Sequence, residues 1–471
     1  MSAQPDILIV GLGTTGLSVA RFLAKNAAGR GVGSQQGDTR GAESMEGFRR
    51  QGLAFAVADS RLAPPGLAEL HAECPGAEVH RGAYDAALFA RFKTLVVSPG
   101  VAVAEPAIQA AAAAGAEIIG DIELFARHVQ APVIAITGSN GKSTVTTLVG
   151  ELLAAAGRRV AVGGNIGTPA LDLLAGDAAD VYVLELSSFQ LETTHGLKSL
   201  AGTVLNVSED HMDRYADLAA YAGAKGEVYH GAGVAVVNRD DAWSLGLAAQ
   251  SDAARSVSFG LDAPAAGSWG MVEQDGEAWL ARGDALLVRE RDLTLRGRHN
   301  MANALAALAL VETAGVDPAS VIGALRRFGG LPHRSQFVGH FAAMDWVNDS
   351  KGTNVGATAA ALAGQAAPVV LIAGGIGKGQ DFSPLRPLLA GKARGVVLIG
   401  QDAGLIAEAW RGVVPMVRAA DMGDAVQKAM EMGQPGDVVL LSPACASFDM
   451  FRGYDHRGEM FAAEVRARFG A

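Results

Sequence analysis

Short, continuous runs of apolar and β-branched residues recur along the chain, and most of them end in a glycine-rich or small-residue turn before a helical pattern. Such runs are typical of strands that are buried on both faces of a parallel sheet. Their alternation with helices predicts an α/β fold with mostly parallel sheets. The runs that predict strands are residues 7–10, 94–97, 133–136, 181–186, 203–206, 234–238, 369–373, 396–399 and 438–441.

Two segments depart from this rhythm, and two breaks interrupt it. Residues 256–295 contain short alternating stretches with glycine turns and predict a small antiparallel insertion. Breaks are predicted near Gly120 and near Gly329, and a chain of 471 residues is too long for one ordinary core. We therefore expect domains at 1–120, 121–330 and 331–471. Residues 26–52, rich in glycine and charge, predict a flexible surface insertion.

Composition narrows the class of protein. The chain is 49% hydrophobic and 19% charged, and its net charge of -10 argues against broad affinity for nucleic acid or anionic membranes. No apolar stretch is long and uninterrupted enough to predict a membrane span. The first residues carry no basic region typical of a secretory signal. With only Cys74 and Cys445 as thiols, we expect a cytoplasmic protein without disulfides.

The first glycine-rich loop, Gly11-Leu-Gly13-Thr-Thr-Gly16, directly follows a predicted strand and opens a helix. Glycines at these positions let the backbone approach a diphosphate, and the helix N-terminus supplies unpaired N–H groups. The next acid at the end of a predicted strand is Asp59. The pattern is equally compatible with a purely structural tight turn.

The second loop, residues 137–144 (Thr-Gly-Ser-Asn-Gly-Lys-Ser-Thr), lies between a predicted strand and helix. Gly138 and Gly141 free the backbone to wrap phosphates, Lys142 can reach their oxygens, and Ser143 can hold Mg²⁺. The usual pattern has a glycine where Ile136 stands, so the loop is a shorter variant. It predicts ATP binding. A third glycine loop, at residues 373–379, favours an ordinary turn.

Acidic residues follow two further predicted strands. Glu185 ends one of them, where a carboxylate is well placed for Mg²⁺. The cluster around Asp210 and His211 follows another, and it indicates either a metal site, with His211 as a ligand or a proton carrier, or a helix cap formed by Asp210. Lys225, on a predicted helix, has the pattern of a solvated surface lysine.

Two more polar groups stand near predicted helix starts and boundaries. Asn300 and Asn303 lie three residues apart at the start of an apolar helix, so they face the same way and either cap that helix or contact a base. Arg334 follows the second predicted boundary, and a guanidinium at such a seam suits γ-phosphate charge.

Seven motifs in order resemble the Mur ligase family, over essentially the whole chain outside residues 26–52. They occupy residues 137–144 (TGSNGKST), 163–167 (GGNIG), 184–191 (LELSSFQL), 210–215 (DHMDRY), 299–300 (HN), 348–351 (NDSK) and 441–447 (LSPACAS).

The resemblance implies three α/β domains: an N-terminal Rossmann-like domain for a uridine nucleotide, a central P-loop ATPase-like domain, and a C-terminal Rossmann-like domain for an amino acid. The implied activity is ATP-dependent ligation of D-glutamate to UDP-N-acetylmuramoyl-L-alanine through an acyl phosphate. The N-terminal loop would then hold UDP rather than NAD. The implied residues for this substrate are Gly13, Thr14, Thr15, Ser60, Arg61, Asn165 and Ser187.

The resemblance also assigns ATP and two Mg²⁺ ions. Lys142, Lys225, His211 and Arg334 would be catalytic, and Lys225 would be carbamylated, which contradicts its surface pattern. The implied metal ligands are Ser143, Glu185, His211 and Lys225. The implied ATP-binding residues are Gly138, Ser139, Asn140, Gly141, Lys142, Ser143, Thr144, Asn300, Arg334 and Asp349.

Glutamate would be bound by residues of the C-terminal part: Thr353, Lys378, Ser447, Phe448 and Tyr454. Two features depart from the family pattern: the 26–52 segment, and the hydroxyl of Tyr454 where an aromatic ring is expected. Other functions remain open, namely a folylpolyglutamate synthase, a Mur ligase for another amino acid, or a non-catalytic nucleotide sensor that binds NAD(H). We expect a monomer.

Overall fold

The computed structural model describes residues 5–27, 55–295 and 297–470. In these residues the strands form three sheets that follow one another along the chain, and helices separate most of the parallel strands. The predicted insertion at residues 26–52 lies outside the described residues except for its first two positions. Within the described ranges, no helix is long and apolar enough to cross a membrane.

The first sheet has the strand order β3-β2-β1-β4-β5, and its strands run parallel. The order reverses between β1 and β4, so the loops that follow these two strands open a crevice at the carboxyl edge. The elements are β1 Ile7–Val10, α1 Thr14–Ala27, β2 Phe55–Asp59, α2 Leu67–Glu73, β3 Glu78–Arg81, α3 Ala86–Phe89, β4 Thr94–Val97, α4 Pro106–Ala113 and β5 Glu117–Ile119.

The second sheet has the order β14-β13-β12-β11-β10-β9-β6-β8-β7. Its elements are α5 Asp121–Ala126, β6 Val133–Thr137, α6 Lys142–Ala155, β7 Val160–Gly164, α7 Ala170–Leu173, β8 Val181–Glu185, α8 Ser188–Leu191, β9 Ala201–Val204, α9 Leu218–Gly226, β10 Val234–Asn238, α10 Ala242–Gln250, β11 Ser256–Phe259, β12 Trp269–Gln274, β13 Glu277–Arg282, β14 Ala285–Arg289, α11 Arg298–Thr313 and α12 Ile322–Arg327.

The predicted antiparallel insertion is partly correct. β12, β13 and β14 pair antiparallel, as the alternating pattern indicates. β11 instead pairs parallel with β10, because α10 crosses over between them and returns the chain in the same direction. The segment therefore extends the second sheet at one edge.

The third sheet has the order β15-β16-β20-β17-β18-β19, parallel except for the β15–β16 hairpin. Its elements are β15 Gln336–Phe341, β16 Met344–Asn348, α13 Val355–Ala363, β17 Val369–Gly374, α14 Arg386–Lys392, β18 Ala393–Ile399, α15 Ala403–Ala409, β19 Met416–Arg418, α16 Met422–Met432, β20 Val438–Leu441 and α17 Tyr454–Phe469.

The cores explain how the sheets are held. One face of the second sheet packs against α6 and the almost wholly apolar helix α11, whose residues from Met301 to Val311 are nearly all buried. The other face shares one apolar cluster with the first sheet, in which Ile9 and Leu17 belong to the same core as Leu184. The third sheet is covered on both faces by its own helices. These layers confirm the predicted α/β class.

Candidate active site

The phosphate loop connects β6 to α6 at the carboxyl edge of the second sheet. Gly138 (φ +149°) and Gly141 (φ +84°) adopt backbone conformations that favour glycine, and α6 begins at Lys142 directly after the second of them. Asn206, after β9, fixes the loop by accepting from Asn140 N through Oδ1 (2.8 Å) and from Ser139 N through its carbonyl oxygen (2.8 Å). The N-terminus of α6 is thus presented to the cleft as an anion-binding site.

Two lysines converge on one carbonyl of this loop. Lys142 Nζ and Lys225 Nζ donate to the carbonyl oxygen of Gly138 at 2.8 and 3.0 Å. Lys225 is 1% exposed and lies 4.3 Å from the centre of the Tyr221 ring, so the sequence interpretation of a solvated surface lysine is wrong. Burial lowers the pKa of both lysines, that of Lys225 far below its usual range, and the neighbouring charge of Lys142 adds to this effect.

Glu185 ends β8 beside the phosphate loop and is 3% exposed. Its Oε1 accepts from Asn165 Nδ2 at 2.7 Å, whereas its Oε2 is buried with no hydrogen-bond partner among the described residues. Among all the residues that the structure describes, no group of three or more His, Cys, Asp or Glu side chains is placed to hold a metal ion without other ligands. A carboxylate oxygen left open beside a phosphate loop fits Mg²⁺ that is held jointly with substrate phosphates.

The loop after β9 carries Asp210 and His211. Asp210 does not cap a helix, because Asp217 caps α9. It accepts instead from Asn354 Nδ2 (3.2 Å) and from Lys378 Nζ (3.2 Å), both of which come from the third sheet. His211 adopts a left-handed backbone conformation (φ +58°) with its ring 4.9 Å from that of Phe189. Burial lowers the pKa of His211, so it is predominantly neutral at neutral pH.

Lys378 belongs to the third glycine loop, for which the sequence favoured an ordinary turn. That loop follows β17 and begins with Gly374 (φ +125°) and Gly375 (φ +132°). A side chain at Gly375 would lie 2.1 Å from the carbonyl oxygen of Ala446. The glycines therefore let this loop pack closely against the backbone at Ala446, and in this position Lys378 reaches Asp210, which follows a strand of the second sheet.

Arg334 supplies another bridge between the second and third sheets. Its Nη2 donates to Ser143 Oγ in the phosphate loop at 2.7 Å. Asp349, at the end of β16, accepts from Ser335 N (3.0 Å) and from Ser442 Oγ (2.7 Å), and burial raises its pKa to about 6. Both side chains thus stand at the seam where Arg334 was predicted.

Asn300 lies in the first turn of α11 and accepts from Asn303 Nδ2 at 3.2 Å. A side chain at Gly141 would lie only 2.5 Å from Asn303 Oδ1, so this turn covers the phosphate loop. Asn303 therefore faces the phosphate loop, and Asn300 is hydrogen-bonded to Asn303.

The residues predicted for glutamate differ in exposure. Tyr454 begins α17 and stacks under Lys351, whose Nζ lies 3.7 Å from the ring centre. Ser447 is buried and Thr353 is half-buried, but Phe448 is 73% exposed. Burial lowers the pKa of Lys351 to about 8. The sequence reasoning assigned no role to Lys351, although it lies in one of the quoted motifs.

The first glycine loop lies at the carboxyl edge of the first sheet. Gly11 has φ +92°, and a side chain at Gly16 would lie 2.0 Å from the carbonyl oxygen of Gly11, so both glycines are required for the turn. Asp59 accepts from Leu12 N (2.7 Å) and is paired with Arg61 (2.6 Å), and these contacts outweigh its burial and lower its pKa to about 2. Asp59 therefore stabilises the loop rather than presenting a free carboxylate.

The remaining predicted residues of this region differ in exposure. Thr14, at the start of α1, and Ser60 are exposed, while Gly13 and Thr15 are half-buried. In the second sheet Asn165 is exposed beside Glu185, and Ser187 caps the short helix α8.

Three α/β units, with a phosphate loop in the second that is contacted by an arginine of the third, define a multi-domain nucleotide-dependent enzyme. Three family models match the chain: the Mur ligase MurD-like N-terminal domain at residues 37–120, the Mur ligase middle domain at 136–311, and the Mur ligase glutamate ligase domain at 333–445. The chain belongs to the Mur ligase family.

Curated relatives align over nearly the full length. A protein of Methylobacillus flagellatus is 52% identical to this chain, and the alignment covers 98% of this chain and 96% of that protein. A protein of Marinobacter nauticus is 53% identical, and the alignment covers 97% of each chain. A Nitrosococcus oceani protein is 50% identical, with 98% of each chain covered. All three are named UDP-N-acetylmuramoylalanine--D-glutamate ligase.

Solved structures agree on the fold. A pseudomurein peptide ligase type C from Methanothermus fervidus has a TM-score of 0.58 at 17% identity, covering 97% of this chain and 99% of its own. The UDP-N-acetylmuramate-alanine ligase of Thermotoga maritima has a TM-score of 0.55 at 17% identity, covering 98% and 99%.

Proposed function

We propose that the protein joins D-glutamate to UDP-N-acetylmuramoyl-L-alanine at the expense of ATP, in the synthesis of a peptidoglycan precursor. About half of its residues are identical to those of relatives that carry this name, over nearly the whole chain. The structural observation that carries the proposal is the bridge from Arg334 to Ser143, because it places the third sheet's polar loops over the phosphate loop of the second.

The phosphate loop and its neighbours would bind ATP. The backbone of residues 138–144 and the Lys142 ammonium face the phosphates, and Arg334 neutralises charge on the transferred phosphoryl group. Asn300, beside the loop, would contact adenine, and Asp349 the ribose. At present Lys142 donates to loop carbonyls (2.8 and 2.9 Å), so it would exchange these bonds for phosphate oxygens.

Ser143 and Glu185 would hold one Mg²⁺, and His211 with Lys225 a second. Bound Mg²⁺ supplies neutralisation of phosphate charge and orients the phosphoryl group for transfer. Support for the first site is the open Oε2 of Glu185, and Ser143 Oγ would have to exchange its bond to Arg334.

Lys225 is an unsuitable Mg²⁺ ligand while its side chain is an unmodified amine. The surroundings of Lys225 favour conversion of this amine to a carbamate. Because burial lowers its pKa well below the usual range, a larger fraction of the amine is neutral and nucleophilic toward CO₂ than for an exposed lysine. Addition forms an N–C bond and releases one proton, which leaves a carbamate anion. The Lys142 charge that disfavours a second ammonium would stabilise this anion.

The UDP-sugar would extend from the first sheet to the second. Gly13, Thr14 and Thr15, at the start of α1, would bind the diphosphate together with Ser60 and Arg61. Asn165 and Ser187 would contact the muramoyl part, close to Glu185.

Glutamate would enter from the third sheet, where the proposed contacts are Thr353, Lys378, Ser447, Phe448 and Tyr454. Lys378 is paired with Asp210 across the seam and would exchange this carboxylate for one of glutamate.

Amide-bond formation requires activation of the substrate's L-alanine carboxylate, because a carboxylate is anionic and lacks a good leaving group. The L-alanine carboxylate attacks the γ-phosphorus of ATP and ADP leaves, which gives an acyl phosphate. The glutamate amine, after losing a proton, attacks the acyl carbon, and phosphate leaves from the tetrahedral intermediate. His211, whose pKa is lowered by burial, presents a free ring nitrogen to the second Mg²⁺, because a protonated imidazole cannot ligate a metal.

The organisation that we propose is three domains at 1–120, 121–330 and 331–471, in a cytoplasmic monomer. The family models support the boundaries, since they end at 120, begin again at 136 and begin a third time at 333.

Phosphate release from ATP tests the function. The assay contains UDP-N-acetylmuramoyl-L-alanine with D-glutamate, L-glutamate, L-lysine or no amino acid. We expect release only with the nucleotide substrate and D-glutamate together. Release with another amino acid would assign a different ligation step, and no release with any combination would overturn the ligase assignment.

A further inference from the structure

The acid Asp121 takes no part in the chemistry described above, although it is 3% exposed. It begins α5, in the segment that connects the first sheet to the second. Its Oδ2 accepts from Gln190 Nε2 at 3.1 Å, and its Oδ1 is buried without a hydrogen-bond partner among the described residues. No cation of the described residues forms an ion pair with it. Such a buried carboxylate is costly, and its retention calls for an explanation.

Gln190, which is also 3% exposed, leads from this carboxylate to the substrate side of the sheet. Its Oε1 accepts from Ser187 N (3.1 Å) and from Ser187 Oγ (3.3 Å), and its own N donates to Ser187 Oγ (3.2 Å). An amide has donors at one end and an acceptor at the other. Because the carboxylate of Asp121 can only accept, it fixes the amide with its oxygen toward Ser187.

The backbone around Asp121 is held against the same short helix. Gly120 N donates to the carbonyl oxygen of Thr193 (3.1 Å), and a side chain at Gly120 would lie 2.3 Å from Thr193 Oγ1. Thr193 Oγ1 in turn donates to the carbonyl oxygen of Gln190 (3.2 Å). The segment between the sheets and helix α8 are therefore joined by both backbone and side chain.

We infer that Asp121 is a positioning residue which, through Gln190, holds Ser187 for the muramoyl part of the UDP-sugar and ties that subsite to the first sheet. This inference rests on the proposed function, in which the diphosphate is bound at the first sheet and the muramoyl group beside Ser187. One substrate molecule would span both subsites, so its affinity depends on the connection between them.

A charge exchange between the two partners tests the inference. Gln190→Glu places two carboxylates in contact and removes the donor to Asp121, so the side-chain oxygen that accepts from Ser187 is no longer held in place. The double variant Asp121→Asn with Gln190→Glu restores the contact. The asparagine amide donates to one oxygen of the new carboxylate at position 190, and the second oxygen of that carboxylate accepts from Ser187. The dissociation constants of UDP-N-acetylmuramoyl-L-alanine and of ATP are measured by calorimetry in the full-length protein, with melting temperatures for every variant.

For Gln190→Glu we expect the UDP-sugar dissociation constant to rise roughly tenfold, the factor of one disrupted buried hydrogen bond, with the ATP constant unchanged. The double variant should recover most of this loss. Glu123→Gln is the matched control on the same helix: Glu123 Oε2 accepts from His195 N and Gly196 N (2.8 and 2.7 Å), and in the described part of the chain Glu123 forms no hydrogen bond with Gln190. It should lower the melting temperature without changing the UDP-sugar affinity.

The outcomes distinguish a failure of the inference about Asp121 from a failure of the proposed ligase function. A parent protein that does not bind the UDP-sugar would overturn the proposed function and the inference together. A parent that binds, with affinity unchanged in Gln190→Glu or not recovered in the double variant, would overturn the inference alone. Equal losses of UDP-sugar and ATP affinity would also contradict it, since they indicate general destabilisation.

Discussion

Asp121 and Glu123 lie two residues apart on α5, yet the protein moves their pKa values in opposite directions. Burial raises the pKa of Asp121 to about 6, and the Gln190 hydrogen bond opposes it only in part. Burial acts on Glu123 as well, but hydrogen bonds from His195 N and Gly196 N outweigh it, with help from Arg127, so its pKa is lowered. The two carboxylates therefore give stability opposite dependences on pH.

Asp121→Asn isolates one of these dependences. Asp121 holds its proton more tightly in the folded protein than in the unfolded chain. Its contribution to the free energy of unfolding is therefore fully present below about pH 3.8 and is lost as the pH rises through about 6. A rise from 3.8 to about 6 amounts to roughly 3 kcal/mol when complete. Close to half of it, roughly 1.4 kcal/mol, develops between about pH 5 and pH 8.

The assay is differential scanning calorimetry of parent and variant across this range. Asparagine does not titrate, and the first and second sheets share a core and unfold together, so the melting temperature of the variant relative to the parent should rise by about 2 °C between about pH 5 and pH 8. Glu123→Gln provides the control, because a carboxylate with a lowered pKa stabilises the fold at higher pH; this variant should gain nothing over the same range. A difference between Asp121→Asn and the parent that stays constant with pH would refute the reasoning.

Three further substitutions test the proposed catalytic groups. Lys142→Ala should abolish ATP-dependent phosphate release with nearly unchanged UDP-sugar binding by calorimetry; activity equal to the parent would contradict the phosphate-loop assignment. Lys225→Ala should be nearly inactive and partly recovered by added short carboxylates that replace a carbamate, and full activity without them would show that Lys225 has no catalytic part. Arg334→Lys keeps the charge but loses the planar guanidinium that contacts Ser143, so kcat should fall by about 10²-fold; an unchanged kcat in steady-state assays would exclude a role in transfer.

Strands buried in the middle of the sheets were predictable because their residues are apolar on both faces. β6, β8 and β10 agree with the predicted runs to within a residue at each end, and all their positions are buried. Edge strands carry no such signal. β3, with the sequence Glu-Val-His-Arg, is exposed at both ends, and its pairing with β2 is a tertiary property that a local pattern does not contain.

The site divides in the same way. The phosphate loop is local: its glycines, its lysine and the following helix start lie within a few consecutive residues, so the sequence alone predicts its geometry. Lys225 is different, because its burial results from packing against a loop 87 residues away. The contact between Asp121 and Gln190 spans 69 residues. Periodicity describes a residue's place on its own helix, and it does not reveal which other segment covers that face.

The contacts between the second and third sheets gather cationic side chains at one place. Three cationic side chains meet at the seam, each with a pKa that burial lowers: Lys142, Arg334 and Lys351. The acids beside them are Glu185 and Asp349, since Asp210 is already paired with Lys378. Uncompensated cations of this kind cost stability in the free protein. ATP and two carboxylate substrates bring the missing negative charge, so their binding stabilises the arrangement of both sheets that the reaction requires.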